Sequence, residues 1–265
     1  MMASTIGMAE QSDEKRKEYE NEAIRIIRAA ATQGLILRLL GSLSFQFQCP
    51  AYAHLQKDLG RSYTDIDYAG YSTQASKMKP LFESLGYAED AEVNIYYAGQ
   101  RMIYYQPKKN GIHIDVFFDK LDFCHEIKWS GRLEIEELTL PLAEMLLEKM
   151  QIVKINEKDI IDTIILVLEK PIEDHDKGAI NIKLISELCA KDWGLWRTVT
   201  LNLKKVAQLV HGYEKLSEAE KSKVVSQVDR MLGRIEAGPK STGWKLRSRI
   251  GDKVKWYKEV DEVHG

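Results

Sequence analysis

Asp65 and Asp67 stand two residues apart in Thr64-Asp65-Ile66-Asp67-Tyr68. Asp115 stands among apolar neighbours in Gly111-Ile112-His113-Ile114-Asp115-Val116-Phe117-Phe118. Both segments alternate polar and apolar residues, as half-buried β-strands do. Side chains two apart on a strand point to the same face. Asp65 and Asp67 therefore share a face while Ile66 turns to the core, and Asp115 projects opposite to Ile114 and Val116. If the two strands are neighbours, three carboxylates converge. Like charges at close range are costly unless a cation neutralises them. Oxygen-only ligands suit a hard ion, and Mg²⁺ held by carboxylates together with substrate phosphates is the common arrangement. His113, two residues before Asp115, shares its face and could touch substrate or metal, or simply hydrogen-bond the carboxylate.

A D-x-D pair alone carries little information. Asp174-His175-Asp176 repeats the spacing in a polar stretch just after Pro171 and reads as a solvated linker. The first copy differs in context, because Gly41-Ser42 precedes it at the end of the apolar run Leu35 to Leu40. A glycine lets backbone approach a phosphate closely, and a serine hydroxyl at a helix start can donate to phosphate oxygens. Two metals bridged by carboxylates can hold a triphosphate and activate an attacking hydroxyl. A third carboxylate can take the hydroxyl's proton.

The elements needed to position these residues follow from periodicity. Ser12 is expected to cap a helix to about Ala31, with Ala23, Ile24, Ile27 and Ala30 on one face and Gly34 as its stop. Residues 1–11 are expected to be disordered. Leu35–Leu40 is a buried strand, Leu43–Phe47 a short helix, and Pro50–Arg61 a loop. Ser72–Leu85 is a helix ended by Gly86. Val93–Tyr97 and Arg101–Gln106 flank Ala98-Gly99-Gln100 as a hairpin, packed by Tyr96, Tyr97, Tyr104 and Tyr105, of which an exposed pair could instead stack on a base. Beyond about residue 137 only helices are expected: Leu140–Met150, Glu157–Glu169, Ala179–Ala190, Trp196–His211, Ser217–Glu236 and Trp244–Val260. Ser217 and Glu220 form a capping box. The fold class is α+β: a mixed sheet flanked by helices over residues 12–138, then an all-helical domain over 139–265, with a hinge at 171–178.

Composition bounds the rest. The chain has 265 residues, 44% hydrophobic and 29% charged, with a net charge of −2. That balance exerts no global pull toward nucleic acid or membrane. The basic stretch Lys240–Arg249 around Trp244 is a local exception, read as a solvated helix face rather than a phosphate-backbone site. Cys49, Cys124 and Cys189 are far apart and lack C-x-x-C spacing, which argues against a disulfide framework and a zinc site alike and fits a reducing cytoplasm. No signal peptide or membrane-length apolar run is evident, so no membrane partner is expected. There is no P-loop and no G-x-S-x-G motif.

Taken in order, Leu-Leu-Gly41-Ser42, Asp65-Ile-Asp67 and Ile-Asp115-Val resemble the nucleotidyltransferase superfamily that includes DNA polymerase β. Arg61-Ser-Tyr-Thr64-Asp65-Ile-Asp67 resembles a motif of the abortive-infection type toxin branch, as do Leu140-Pro-Leu-Ala-Glu-Met-Leu-Leu-Glu-Lys149 and Lys158-Asp159-Ile-Ile-Asp162. The likeness spans roughly residues 35–168. It implies an enzyme transferring a nucleoside monophosphate from an NTP to a hydroxyl, with two Mg²⁺ ions on Asp65, Asp67 and Asp115. It further implies that Gly41, Ser42 and Lys149 bind nucleotide, with Arg61, Thr64, His113, Asp159 and Asp162 as accessory residues. The acceptor is left open among RNA, protein and small molecule, and an antitoxin-like partner protein is implied. Asp159 has a structural alternative, since an acidic residue in a helix's first turn stabilises the helix without further function. Two other classes stay open: a non-catalytic nucleotide- or partner-binding relative, and a nucleic-acid-binding helical module on a scaffold.

Overall fold

The computed structural model describes residues 2–58, 63–97, 99–107 and 111–260, with side chains described from residue 13 onward. In chain order the elements are α1 (Met2–Thr32), β1 (Arg38–Leu40), α2 (Ser42–Gln48), α3 (His54–Asp58), β2 (Asp65–Gly70), α4 (Met78–Ser84), β3 (Ala88–Glu89) and α5 (Ala91–Tyr96). They continue with β4 (Arg101–Tyr105), β5 (His113–Phe118), β6 (Lys120–Asp122), β7 (Glu126–Lys128), α6 (Leu142–Met150) and α7 (Glu157–Glu169). The last are β8 (Ile172–Glu173), β9 (Ile180–Asn181), α8 (Ile182–Lys191), α9 (Trp193–Leu209), α10 (Glu218–Ala237) and α11 (Thr242–Ile250).

These elements form two compact units. The first comprises residues 1–47, 60–120 and 129–140, and the second comprises 48–59, 121–128 and 141–265. The second unit includes the α3 segment and the β7 ribbon, both earlier in the chain than residue 139. The first unit is α+β, built on a mixed five-stranded sheet of order β1-β2-β5-β4-β3. Only β2 and β5 are parallel; the other pairs in that sheet are antiparallel.

One face of this sheet is the hydrophobic core. Leu39, Ile66, Tyr68, Tyr104, Ile114, Val116 and Phe118 pack there against Tyr19, Ala23, Ile26, Ile27 and Ala30 of α1 and Met78, Leu81 and Phe82 of α4. Alternation along each strand assigns the opposite face to Arg38, Leu40, Asp65, Asp67, Arg101, Ile103, His113, Asp115 and Phe117. Arg38 anchors the β1 edge by donating to the Leu133 carbonyl at 2.7 Å and the Leu37 carbonyl at 2.9 Å.

Several expectations are corrected. The first helix begins at Met2, so residues 2–11 are helical and Ser12 is not its cap; no proline breaks the stretch. Val93–Tyr97 is not a strand, because α5 covers Ala91–Tyr96. Asp90 caps that helix by accepting from the Val93 amide at 3.1 Å, and Asn94 accepts from the Ile103 amide at 2.7 Å. The β4 strand pairs instead with β3 and β5. Tyr104 is buried, whereas Tyr96 is 81% exposed. Ser72–Lys77 is a 3₁₀ turn leading into α4. The loop expected at residues 50–61 contains α3.

The second unit is helical apart from short ribbons. The expected hinge at 171–178 contains β8, which pairs in parallel with β9, a two-residue ribbon missed by a search for longer alternation. The helix Glu157–Glu169 has the expected bounds. The capping box at Ser217 and Glu220 is formed, with the amide of Glu220 donating to Ser217 Oγ at 3.3 Å. Among the described residues no helix is long and apolar enough to cross a membrane.

Candidate functional site

The parallel register of β2 and β5 sets Asp65 level with His113 and Asp67 level with Asp115. Partners in neighbouring parallel strands lie about 4.8 Å apart and point the same way. Asp65, Asp67, His113 and Asp115 therefore share the face opposite the core. The three carboxylates are partly exposed and His113 is exposed, while Ile66, Ile114 and Val116 are fully buried. The alternation read from the sequence and the adjacency of its strands are both present.

Gly41 closes one side of this site. Antiparallel pairing sets Leu40 opposite Asp67, and Gly41 follows with φ +70°. A Cβ at Gly41 would collide with Asp67 Oδ2. Glycine suits this position twice, for the left-handed backbone and for clearance, since a Cβ would have to push the Asp67 carboxylate aside. The Gly41 carbonyl accepts from Ser44 Oγ at 2.7 Å and from the Ser44 amide at 3.2 Å, which fixes the start of α2. Ser42 is the first residue of that helix and is partly exposed. Thr64 is exposed, with its hydroxyl 3.3 Å from Asp65 Oδ1. Arg61 lies outside the described residues.

The third carboxylate has a partner that sequence reasoning missed. Arg101, at the start of β4, grips Asp115 in a two-pronged pair, Nε to Oδ1 at 2.8 Å and Nη2 to Oδ2 at 2.9 Å. Fork-to-fork geometry of this kind is strong and directional. The guanidinium stacks between Tyr97 and Phe117, 5.4 and 5.2 Å from their ring centroids. Burial works against its charge, but Asp115, with Tyr97 and Asp67 behind it, more than offsets that and raises the Arg101 pKa. A second cation on Asp115 would have to displace this arginine. The sequence signal was a lone arginine opening an otherwise apolar and aromatic strand; its value depends on knowing that β4 lies beside β5.

Asp65 and Asp67 suit one hard cation. They are oxygen donors on one face, next to backbone stripped of a Cβ at Gly41. Among the described residues no group of three or more His, Cys, Asp or Glu side chains is arranged to hold a metal ion.

Lys149, Asp159 and Asp162 form a separate constellation inside the second unit. Lys149 Nζ lies 3.3 Å from Asp162, 3.4 Å from Asp159 and 3.6 Å from Glu148. Its side chain is 9% exposed and that of Asp162 is 0% exposed. Gln56 of α3 donates to Asp162 Oδ1 at 2.7 Å. The i,i+3 spacing of the two aspartates on α7 brings both to one ammonium. The lysine expected to bind nucleotide is thus held in a buried ionic cluster joining α6 to α7. Asp159 also occupies the first turn of α7, where Asn156 caps the helix, its Oδ1 accepting from the Asp159 backbone amide at 3.0 Å.

The basic stretch around Trp244 is likewise engaged. Arg247 lies 4.5 Å from the Trp193 ring centroid and donates to the carbonyls of Gly251 and Val254. Compared with protein-family models, with curated proteins and with solved structures, the chain matches none.

Proposed function

We propose that this chain is a Mg²⁺-dependent nucleotidyltransferase, moving a nucleoside monophosphate from an NTP to a hydroxyl acceptor with release of pyrophosphate. The observation that carries the reading is the β2–β5 register, with Asp65, Asp67 and Asp115 on one sheet face beside the Cβ-free turn at Gly41. In this reading Asp65 and Asp67 hold Mg²⁺, whose contribution is to neutralise phosphate oxygens. Gly41 leaves room for phosphate beside Asp67, and the Ser42 hydroxyl donates to a phosphate oxygen. Asp115, oriented by Arg101, accepts the acceptor's proton as the new O–Pα bond forms and the bond to pyrophosphate breaks. Arg101 is a positioning residue. An antitoxin-like partner and an RNA, protein or small-molecule acceptor belong to the same proposal.

The test is pyrophosphate release from each NTP with Mg²⁺ and candidate acceptors. Asp67→Asn is expected to lose turnover by roughly 10³-fold or more, the scale on which removing a charge-stabilising group acts, with an unchanged circular dichroism spectrum. Wild-type turnover in Asp67→Asn would falsify the metal role.

A second reading, nucleotide or partner binding without chemistry, draws on the Arg101 grip on Asp115. A calorimetric titration in which NTP binds equally with Mg²⁺ and with EDTA, with no pyrophosphate formed, favours it.

A further inference from the structure

Helix α11 packs on α8 and α9 of the second unit, yet none of its side chains is buried. Trp244, Arg247 and Ser248 are half-buried and turn toward the body of the unit. The Trp244 ring lies 5.1 Å from that of Trp196, and the Arg247 guanidinium 4.5 Å from that of Trp193. At about 100° per residue, the exposed positions Thr242, Gly243, Lys245, Leu246, Arg249 and Ile250 fill one continuous arc of about 160° on the other side. That arc is sorted by chemistry. Lys245 and Arg249, one turn apart, take one edge, and Leu246 and Ile250, likewise one turn apart, lie toward the other. Beyond the helix, the 3₁₀ turn Gly251–Lys253 and the residue after it add one more of each kind, Lys253 and Val254, both exposed.

Two observations set this surface apart from an ordinary solvated face. Leu246, Ile250 and Val254 are 56%, 45% and 56% exposed. Single apolar side chains scattered over a surface are normal, whereas a run of them marks a contact. The charge around them is one-sided as well. Residues 240–258 carry seven lysines and arginines against one acidic residue, Asp252, in a chain whose net charge is −2. The carboxylates within reach are engaged by Arg197, Lys255 and Lys258, which leaves Lys245, Arg249 and Lys253 facing solvent.

We propose that the outer face of α11, continued by Lys253 and Val254, docks on the surface of a membrane that carries anionic phospholipids. A bilayer interface offers phosphates to the cations and, a few ångströms deeper, an apolar boundary to Leu246, Ile250 and Val254. Each basic residue near such a surface favours the bound state by roughly fivefold. A nucleic-acid backbone would engage the cations and leave the three aliphatic side chains in water. The rings that could stack on bases, Trp196 and Trp244, are half-buried and meet edge to face. A second copy of the chain would bring two cationic faces together. The contact is peripheral, so it needs no spanning helix, and among the described residues there is none. It involves no residue of the sheet face and goes beyond the reaction proposed above.

The experiment is co-sedimentation of the full chain with vesicles of phosphatidylcholine alone and of phosphatidylcholine mixed with phosphatidylglycerol, at low and high salt. The wild type should bind the mixed vesicles, stay in solution with the neutral ones, and be released as salt screens the charge. Lys245→Glu with Arg249→Glu should weaken binding by roughly tenfold or more, and Leu246→Ser with Ile250→Ser severalfold. All four side chains are exposed, so both variants should keep the wild-type melting temperature. Lys17→Glu with Lys183→Glu makes the same change of net charge at exposed positions elsewhere and should bind like the wild type. Absence of binding to the mixed vesicles overturns the proposal. So does an equal loss in the Lys17 and Lys183 control, which assigns binding to net charge, or binding untouched by the serine pair, which leaves the aliphatic side chains no part. Retention of poly(U) RNA that depends on Lys245 and Arg249, without vesicle binding, replaces the membrane with a nucleic acid.

Discussion

Two acidic groups, each gripped by one basic side chain, occupy the two units of this protein, and they differ in what surrounds them. In the helical unit Lys149 is enclosed by Glu148, Asp159 and Asp162, and every member is 14% exposed or less. In the sheet unit Arg101 grips Asp115 on a partly exposed face that also carries Asp65, Asp67 and exposed His113. An enclosed cluster is committed to holding helices together, since removing one partner leaves an uncompensated buried charge. A partly exposed cluster keeps its carboxylates within reach of solvent. The motif resemblance sets Lys149 near the nucleotide and gives Asp159 and Asp162 to the site or to its scaffold; the two groups differ in burial.

The largest expected effect follows from that difference. Lys149→Met should destabilise the protein by about 3–5 kcal/mol, because Asp162 then stays buried without its cation. Urea unfolding measures it. A variant with the wild-type midpoint but no NTP binding would break the comparison and return Lys149 to the nucleotide. Next, Arg101→Gln should cost about 2 kcal/mol as the fork on Asp115 is lost, with activity falling further than stability. Arg101→Lys should rescue little of either, because an ammonium cannot reproduce the two-pronged grip. Full rescue by lysine would reduce the arginine to a generic charge.

Gly41→Ala should act more locally. The left-handed backbone costs a non-glycine residue about 1 kcal/mol, and the added methyl must push Asp67 aside. Mg²⁺-dependent NTP binding should drop while the melting temperature moves by only a few degrees. Retained binding would show that Asp67 need not sit where it does.

The smallest effect is a pH dependence that sharpens the burial argument within the helical unit. His125 is buried, with Nε2 2.8 Å from Thr198 Oγ1, and burial lowers its pKa below the usual histidine value. The unfolded chain therefore binds its proton more readily than the folded one, and stability should fall as pH drops through about 6.5 and below. His125→Gln should flatten that slope in unfolding curves taken at successive pH values. An unchanged slope assigns the dependence to other groups.

Much of the sheet face was legible in advance because strand alternation is local. Asp65, Asp67 and Asp115 point away from Ile66, Ile114 and Val116 as their spacing requires. Gly34 and Gly86 end their helices where periodicity stops, each with positive φ. Ser217 and Glu220 cap α10 because the interaction spans one turn. The failures lie where something other than alternation decides the element. Val93–Tyr97 has strand-forming residues, yet the cap at Asp90 and the Asn94–Ile103 hydrogen bond hold it as helix. Ile172–Glu173 is too short to show alternation, and its ribbon exists only because Ile180–Asn181 lies beside it.

The sequence by itself determined which faces of β2 and β5 are polar, where several helices stop, and that Asp65 and Asp67 share a face, because these depend on spacing within a few residues. Only the tertiary structure decided which cation meets which carboxylate. Arg101 finds Asp115 through the pairing of β4 with β5 across 14 residues. Gln56 finds Asp162 across 106 residues. Charge compensation acts through space, and the burial that decides whether a carboxylate is committed to structure or open to a ligand belongs to the folded chain alone.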